Sequence, residues 1–119
     1  MIAGSASTFS KSLGWYAHHA DIQFFSVEDR LAPEHRHPCL GEDCYAALMY
    51  VSKKAETPNV DPARLGVMGE SACGGIVAGT ALMARDRGLT PPLAKQILIY
   101  PMLYDRNLEP SEHIEDSAI

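Results

Sequence analysis

The run Gly69-Glu70-Ser71-Ala72-Cys73-Gly74-Gly75 sets a serine between a short stretch of strand formers at 65–68 and a helix-forming stretch that starts at Ala72. A chain that passes from strand to helix within one residue lifts the serine Oγ clear of the sheet. It also aims the N–H of the following residue, Ala72, at an incoming carbonyl oxygen. The chemistry of such a nucleophile elbow is acyl transfer through an acyl-serine. Strand and helix nearly touch there, so small residues are needed two positions before and two after the serine. Gly69 meets that need fully and Cys73 approximately, with Gly74 continuing the small patch and Glu70 a carboxylate supporting the elbow. The same residues admit a plainer reading, in which Ser71 is the N-cap of a helix that follows a glycine-rich turn.

Serine alone is a weak nucleophile and needs a base and a group to orient that base. Behind an elbow the chain order is serine, then Asp or Glu, then histidine. His113 is the only histidine downstream, with Asp86, Asp105, Glu109 and Glu112 between it and Ser71. Asp105 falls just past an expected strand, but Asp105 and His113 read better as polar residues of a surface loop. His18, His19, His35 and His37 all precede the serine, the wrong order for a base. His35, His37, Cys39 and Cys44 supply zinc-type ligands, yet their spacing fits no standard finger, and Pro38 with Gly41 suits a plain loop. Cys73 fills space as a small hydrophobe; the alternative is a redox thiol, since a helix N-terminus lowers a thiol pKa.

The elements that position these groups alternate. Residues 9–20 carry Phe9, Leu13, Tyr16, Ala17 and Ala20 at helical spacing, and 22–27 is a short apolar run of β-formers. A loop with Pro33 and Pro38 leads to a helix over 43–55, striped by Tyr45, Leu48 and Met49, which Pro58 cannot continue. Asp61-Pro62 starts a single short turn. A strand over 65–68, a helix over 72–87 stopped by Gly88, and a strand over 96–100 closed by Pro101 complete the order. Strands alternating with helices imply parallel pairing, and ligands then sit at the carboxyl ends of the strands, where Ser71 lies.

Around the elbow stand Arg30-Leu31-Ala32-Pro33-Glu34-His35, Glu42-Asp43-Cys44-Tyr45-Ala46-Ala47-Leu48, Ala81-Leu82-Met83-Ala84-Arg85-Asp86-Arg87-Gly88, Pro91-Pro92-Leu93-Ala94 and Ile99-Tyr100-Pro101-Met102-Leu103. In this order and spacing the chain resembles the hormone-sensitive-lipase-like branch of the α/β-hydrolases, a group of carboxylesterases and lipases. The resemblance implies an α/β chain, a partial α/β-hydrolase domain over 1–119 with a central parallel sheet of about three strands and flanking helices. It implies Ser71 as nucleophile, the Ala72 N–H as an oxyanion donor, a small uncharged ester as substrate, and neither metal nor cofactor. It also places a His-Gly-Gly-Gly stretch before Met1, and the acid and histidine after Ile119. Asp29 stands where the family usually has tyrosine, and Cys73 where it has glycine. The 119-residue chain alone is therefore expected to be inactive or nearly so. The alternative is a non-catalytic remnant acting by association, its cut sheet exposing edges and apolar faces.

Composition agrees with one domain: 46% of residues are apolar, and no repeat or low-complexity tract interrupts them. A net charge of −5 favours neither nucleic acid nor an anionic membrane as partner. No segment reads as a membrane span or a secretory signal, and three cysteines without Cys-x-x-Cys suit reduced thiols, so a cytoplasmic location is the default. Acyl preference and oligomeric state have no signature in the sequence.

Overall fold

The computed structural model describes residues 4–53 and 59–104. In chain order the elements are α1 (Ser10–Ala20), α2 (Cys39–Lys53), a 3₁₀ turn (Pro62–Arg64), β1 (Gly66–Glu70), α3 (Ser71–Asp86) and β2 (Lys95–Ile99). β1 and β2 pair in parallel, from Gly66 opposite Lys95 to Glu70 opposite Ile99, so α3 is the crossover of a βαβ unit. The pairing is prepared one residue earlier, where the Ala94 N–H donates to the Leu65 carbonyl at 2.7 Å.

The ends of these elements follow from single residues. Asp61 caps the 3₁₀ turn by accepting the Ala63 N–H at 2.9 Å, with Pro62 in its first turn as expected. α3 stops where Gly88 takes φ +70°: its N–H reaches Arg85 O at 3.1 Å, and the Leu89 N–H reaches Ala84 O at 2.8 Å. Those two bonds close a Schellman turn, which only a residue at ease in the left-handed region can terminate. α2 begins four residues earlier than the sequence suggests, at Cys39. Pro38 lies before the first turn, where its missing N–H is no loss, and its carbonyl accepts the Glu42 N–H at 3.0 Å. The expected end of this helix at Ala55, and Pro58, fall outside the described residues.

α3 packs on both strands and on α2, and the buried core is the seam between the two helices: Leu40, Leu48, Thr80 and Ala84. Leu40, in the part of α2 that precedes the expected start, belongs to it. The buried Thr80 hydroxyl donates to Ile76 O at 2.9 Å, so the seam holds no orphaned hydroxyl. Around it, the segment Arg30–His35 is fastened to α2 by Arg30, whose N–H and guanidinium donate to the Asp43 carboxylate at 2.7–3.2 Å. Next to that tie, the Arg87 guanidinium just past α3 donates to Glu42 and lies 4.6 Å above the Tyr45 ring.

The described residues contain two paired strands, not three. Residues 22–27 carry no strand pairing, although their composition suits one. β-propensity reports a side-chain pattern that fits a sheet surface, but a strand forms only beside an edge offering its N–H and C=O groups. β1 pairs with β2, and the segment lies near α1 instead, with the Phe24 and Tyr16 rings 6.4 Å apart. Its outer residues Ile22 and Phe25 stay exposed, as do Phe9, Trp15, Ile97, Met102 and Leu103. No described helix is long and apolar enough to cross a membrane.

Candidate active site

Ser71 is the first residue of α3 and follows the last residue of β1 directly, with φ +50°. A serine in the left-handed region is strained by its own Cβ, a conformation held only where the surrounding chain forces it. The force is visible on both sides. A Cβ on Gly69 would lie 2.5 Å from the Cys73 carbonyl oxygen and 2.9 Å from the Gly74 nitrogen. A Cβ on Gly74 would lie 2.8 Å from Pro101 Cβ, and one on Gly75 would strike the Met102 carbonyl. The Met102 N–H donates to the Ser71 carbonyl at 2.9 Å, tying the chain beyond β2 to the turn. The turn is thus clamped between β1, the first turn of α3 and residues 101–102.

The N-cap is Glu70, in extended conformation (φ −109°, ψ 143°), and not Ser71. That replaces the plainer reading of the serine as a cap. Glu70 makes no side-chain capping bond; its carboxylate turns outward and accepts the Tyr16 hydroxyl at 2.7 Å and the Tyr100 hydroxyl at 3.0 Å. Those bonds to the carboxylate raise both phenol pKa values, because the donating O–H is the favoured form. The requirement for smallness extends past the motif into the helix. Cys73 contributes the backbone against which Gly69 must be small, and the tight helix positions are Gly74 and Gly75.

Burial pushes the Cys73 thiol pKa up, with the Asp29 carboxylate adding to it, the opposite direction to the lowering that a reactive thiol at a helix N-terminus needs. The Cys44 thiol, more deeply buried, is pushed up to about 11. Asp29 itself has one carboxylate oxygen, Oδ2, enclosed without a hydrogen-bond partner among the described residues, and burial raises its pKa. His18, His19, His35 and His37 are exposed, and His19 stacks on Trp15 with centroids 4.2 Å apart. Among the described residues no three His, Cys, Asp or Glu side chains gather around a common point suited to a metal ion. Asp86 ends α3, about 22 Å of helix away from Ser71. Asp105, Glu109, Glu112 and His113 lie outside the described residues.

Sequence reading located Ser71, Ala72, Gly69, Glu70, Cys73 and Gly74, and the structure brings all six to one turn. It missed Tyr16 and Tyr100 as partners of Glu70. Helical spacing puts Tyr16 on an apolar stripe; the available signal is its hydroxyl, which seeks a partner whenever the ring is covered.

The chain is similar to known proteins in sequence and in fold. The family model for the alpha/beta hydrolase fold matches residues 1–119. Esterase LipI of Mycobacterium tuberculosis is 37% identical over 119 residues, covering 99% of this chain and 37% of its own length. Carboxylesterase NlhH of the same species is 49% identical over 76 residues, 64% of this chain and 24% of NlhH. Among solved structures, a bacterial heroin esterase superposes with a TM-score of 0.84 at 43% identity, over 88% of this chain and 33% of that one. The chain thus spans about a third of the length of the relatives it matches. With its elbow, its flanking motifs and these relatives in agreement, the chain belongs to the α/β-hydrolase family, in the hormone-sensitive-lipase-like branch of carboxylesterases and lipases.

Proposed function

We propose that Ser71 is the nucleophile of a carboxylester hydrolase. Its Oγ attacks the ester carbonyl, the alcohol leaves, and water then releases the acid from the acyl-serine. The Ala72 N–H donates to the oxyanion, and Gly69, Glu70, Cys73 and Gly74 shape the turn that presents both groups. The observation that carries this reading is the left-handed serine set directly between strand and helix. The relatives are named esterases and carboxylesterases, and a small uncharged ester is the substrate class we assign.

The base and acid of the reaction belong, on this reading, to segments beyond the 119 residues, as does part of the oxyanion hole. Removal of one oxyanion donor lowers turnover ~10²–10³-fold. The chain alone is therefore expected to turn over a short-chain aryl ester no faster than Ser71→Ala. A lengthened chain carrying the flanking coding sequence is expected to react at Ser71 with an organophosphonate, read by mass spectrometry. Unlabelled Ser71 in that lengthened chain would refute the nucleophile assignment. Serine-dependent turnover by the 119 residues at ordinary esterase rates would refute their inactivity.

The exposed apolar side chains around the sheet favour a second reading, a remnant acting by association. Unchanged stability and solubility on joining the flanking segments would support it. A cytoplasmic location fits Cys39 and Cys44, which form no disulfide, and fractionation of the source cells tests it.

A further inference from the structure

We propose that Tyr16 and Tyr100 are positioning residues that hold the Glu70 carboxylate off the first turn of α3, leaving the Ala72 N–H open to the substrate oxygen. The inference rests on the acyl-serine reading of Ser71. A helix N-terminus attracts negative charge, and a carboxylate at the N-cap is drawn to the N–H groups of the second and third helical residues. In α3 those residues are Ala72 and Cys73. An anion bound there would occupy the donor an oxyanion needs and would repel the negative charge as it develops.

Glu70 is the N-cap, and its carboxylate does not do this. Each oxygen is engaged elsewhere: Oε1 by the Tyr16 hydroxyl at 2.7 Å and Oε2 by the Tyr100 hydroxyl at 3.0 Å. The two phenols come from opposite parts of the chain, α1 and the residue after β2, so the carboxylate is fixed in two directions. Tyr100 is itself held at φ +36°, between the last residue of β2 and Pro101. Among the described elements α1 packs closely on no other helix or strand, and the Tyr16 bond spans 54 residues of sequence to reach the elbow. Among the described residues, Tyr16 from α1 and Tyr100 beyond β2 bond the carboxylate, and the Cys73 thiol within α3 lies near enough to feel its charge.

The test follows amide proton shifts by NMR across the carboxylate titration range. With Asp29→Asn as the common background, which removes the other carboxylate acting on Cys73, the Ala72 and Cys73 amides are expected to stay flat, because the Glu70 oxygens are held by the two phenols. In Tyr16→Phe/Tyr100→Phe the released carboxylate turns inward, and both amides acquire a Glu70 titration curve. Adding Glu70→Gln to that variant abolishes the curve. If the double variant does not fold, Tyr16→Phe alone frees Oε1 and gives the same curve. Flat Ala72 and Cys73 amides in a folded phenylalanine variant overturn the proposal, reducing the tyrosines to a tether for α1. No ester is turned over, so that failure leaves the nucleophile assignment standing, and unlabelled Ser71 leaves this result standing.

Discussion

Around the elbow the chain is held by its own backbone, whereas the N-terminal arm, residues 4–31, is held by side chains. In the first region β1, the start of α3 and residues 101–102 approach until there is no room for a methyl group on Gly69, Gly74 or Gly75. In the second, the ties are the Ala6 N–H to Glu28 at 2.7 Å, the Tyr16 hydroxyl to Glu70, and Arg30 to Asp43. Backbone approach specifies a shape with little tolerance, as a strained serine requires. Side-chain ties let an element sit beside the block without being built into it, and α1 buries none of its residues. The contrast predicts that equal changes have unequal effects in the two regions.

The largest effect is expected from Gly69→Ala. The added Cβ meets the Cys73 carbonyl at 2.5 Å, and a backbone atom cannot swing aside as a side-chain end can. Relief requires shifting β1 against α3, at a loss of about 3 kcal/mol in urea denaturation. A loss under about 0.5 kcal/mol, the range of an ordinary surface change, would mean the elbow is no tighter than the arm.

This difference also decides what was readable in the sequence. The βαβ block was legible because its determinants are local: Gly69 and Ser71 mark the turn, Gly88 the end of α3, and Asp61-Pro62 the short turn. The arm was half legible. Its helix followed from spacing, but the strand over 22–27 did not form, since pairing depends on a neighbouring edge and no residue type reports that. The start of α2 was hidden by Pro38 and Gly41, which read as loop although a proline suits the position before a helix. Glu70 was visible as a carboxylate; its bonds to Tyr16 and Tyr100 join residues 54 and 30 positions apart, which periodicity does not register.

Two aspartates sharpen the contrast through opposite pH dependence. Bonds from Arg30 hold the Asp43 pKa down to about 2. A depressed folded pKa stabilises above the unfolded value of ~3.9, and the benefit disappears as pH falls through the folded value. Asp43→Asn is therefore expected to lose about 1 kcal/mol at pH 7 and little near pH 2, by urea titration at each pH. Asp29 runs the other way. Burial raises its folded pKa, so its charged form is disfavoured, and stability present below ~3.9 falls as pH rises through the folded value. Asp29→Asn is expected to gain about 1 kcal/mol at pH 7 and nothing below pH ~3.5. A gain that persists unchanged in acid would show that the enclosed Oδ2 carries no charge-dependent penalty.

The smallest effects come from glycines with free space. A Cβ on Gly79, within α3, or on Gly14, within α1, would meet nothing within 4 Å. Alanine at either site removes the glycine penalty of a helix interior, about 0.8–1 kcal/mol. For Gly79 the whole gain should appear in global unfolding, because α3 is the crossover of the sheet and cannot melt apart from it. For Gly14 the gain should be divided. An 11-residue helix is marginal in isolation, and α1 is fastened to the block mainly by side chains, so part of its unfolding precedes the global transition. Gly14→Ala is thus expected to raise the global value by only about 0.3 kcal/mol while slowing amide exchange within α1 several-fold. Equal global gains for the two alanines would place the arm inside the same cooperative unit as the elbow, and the distinction between backbone-held and side-chain-held regions would then be one of geometry alone.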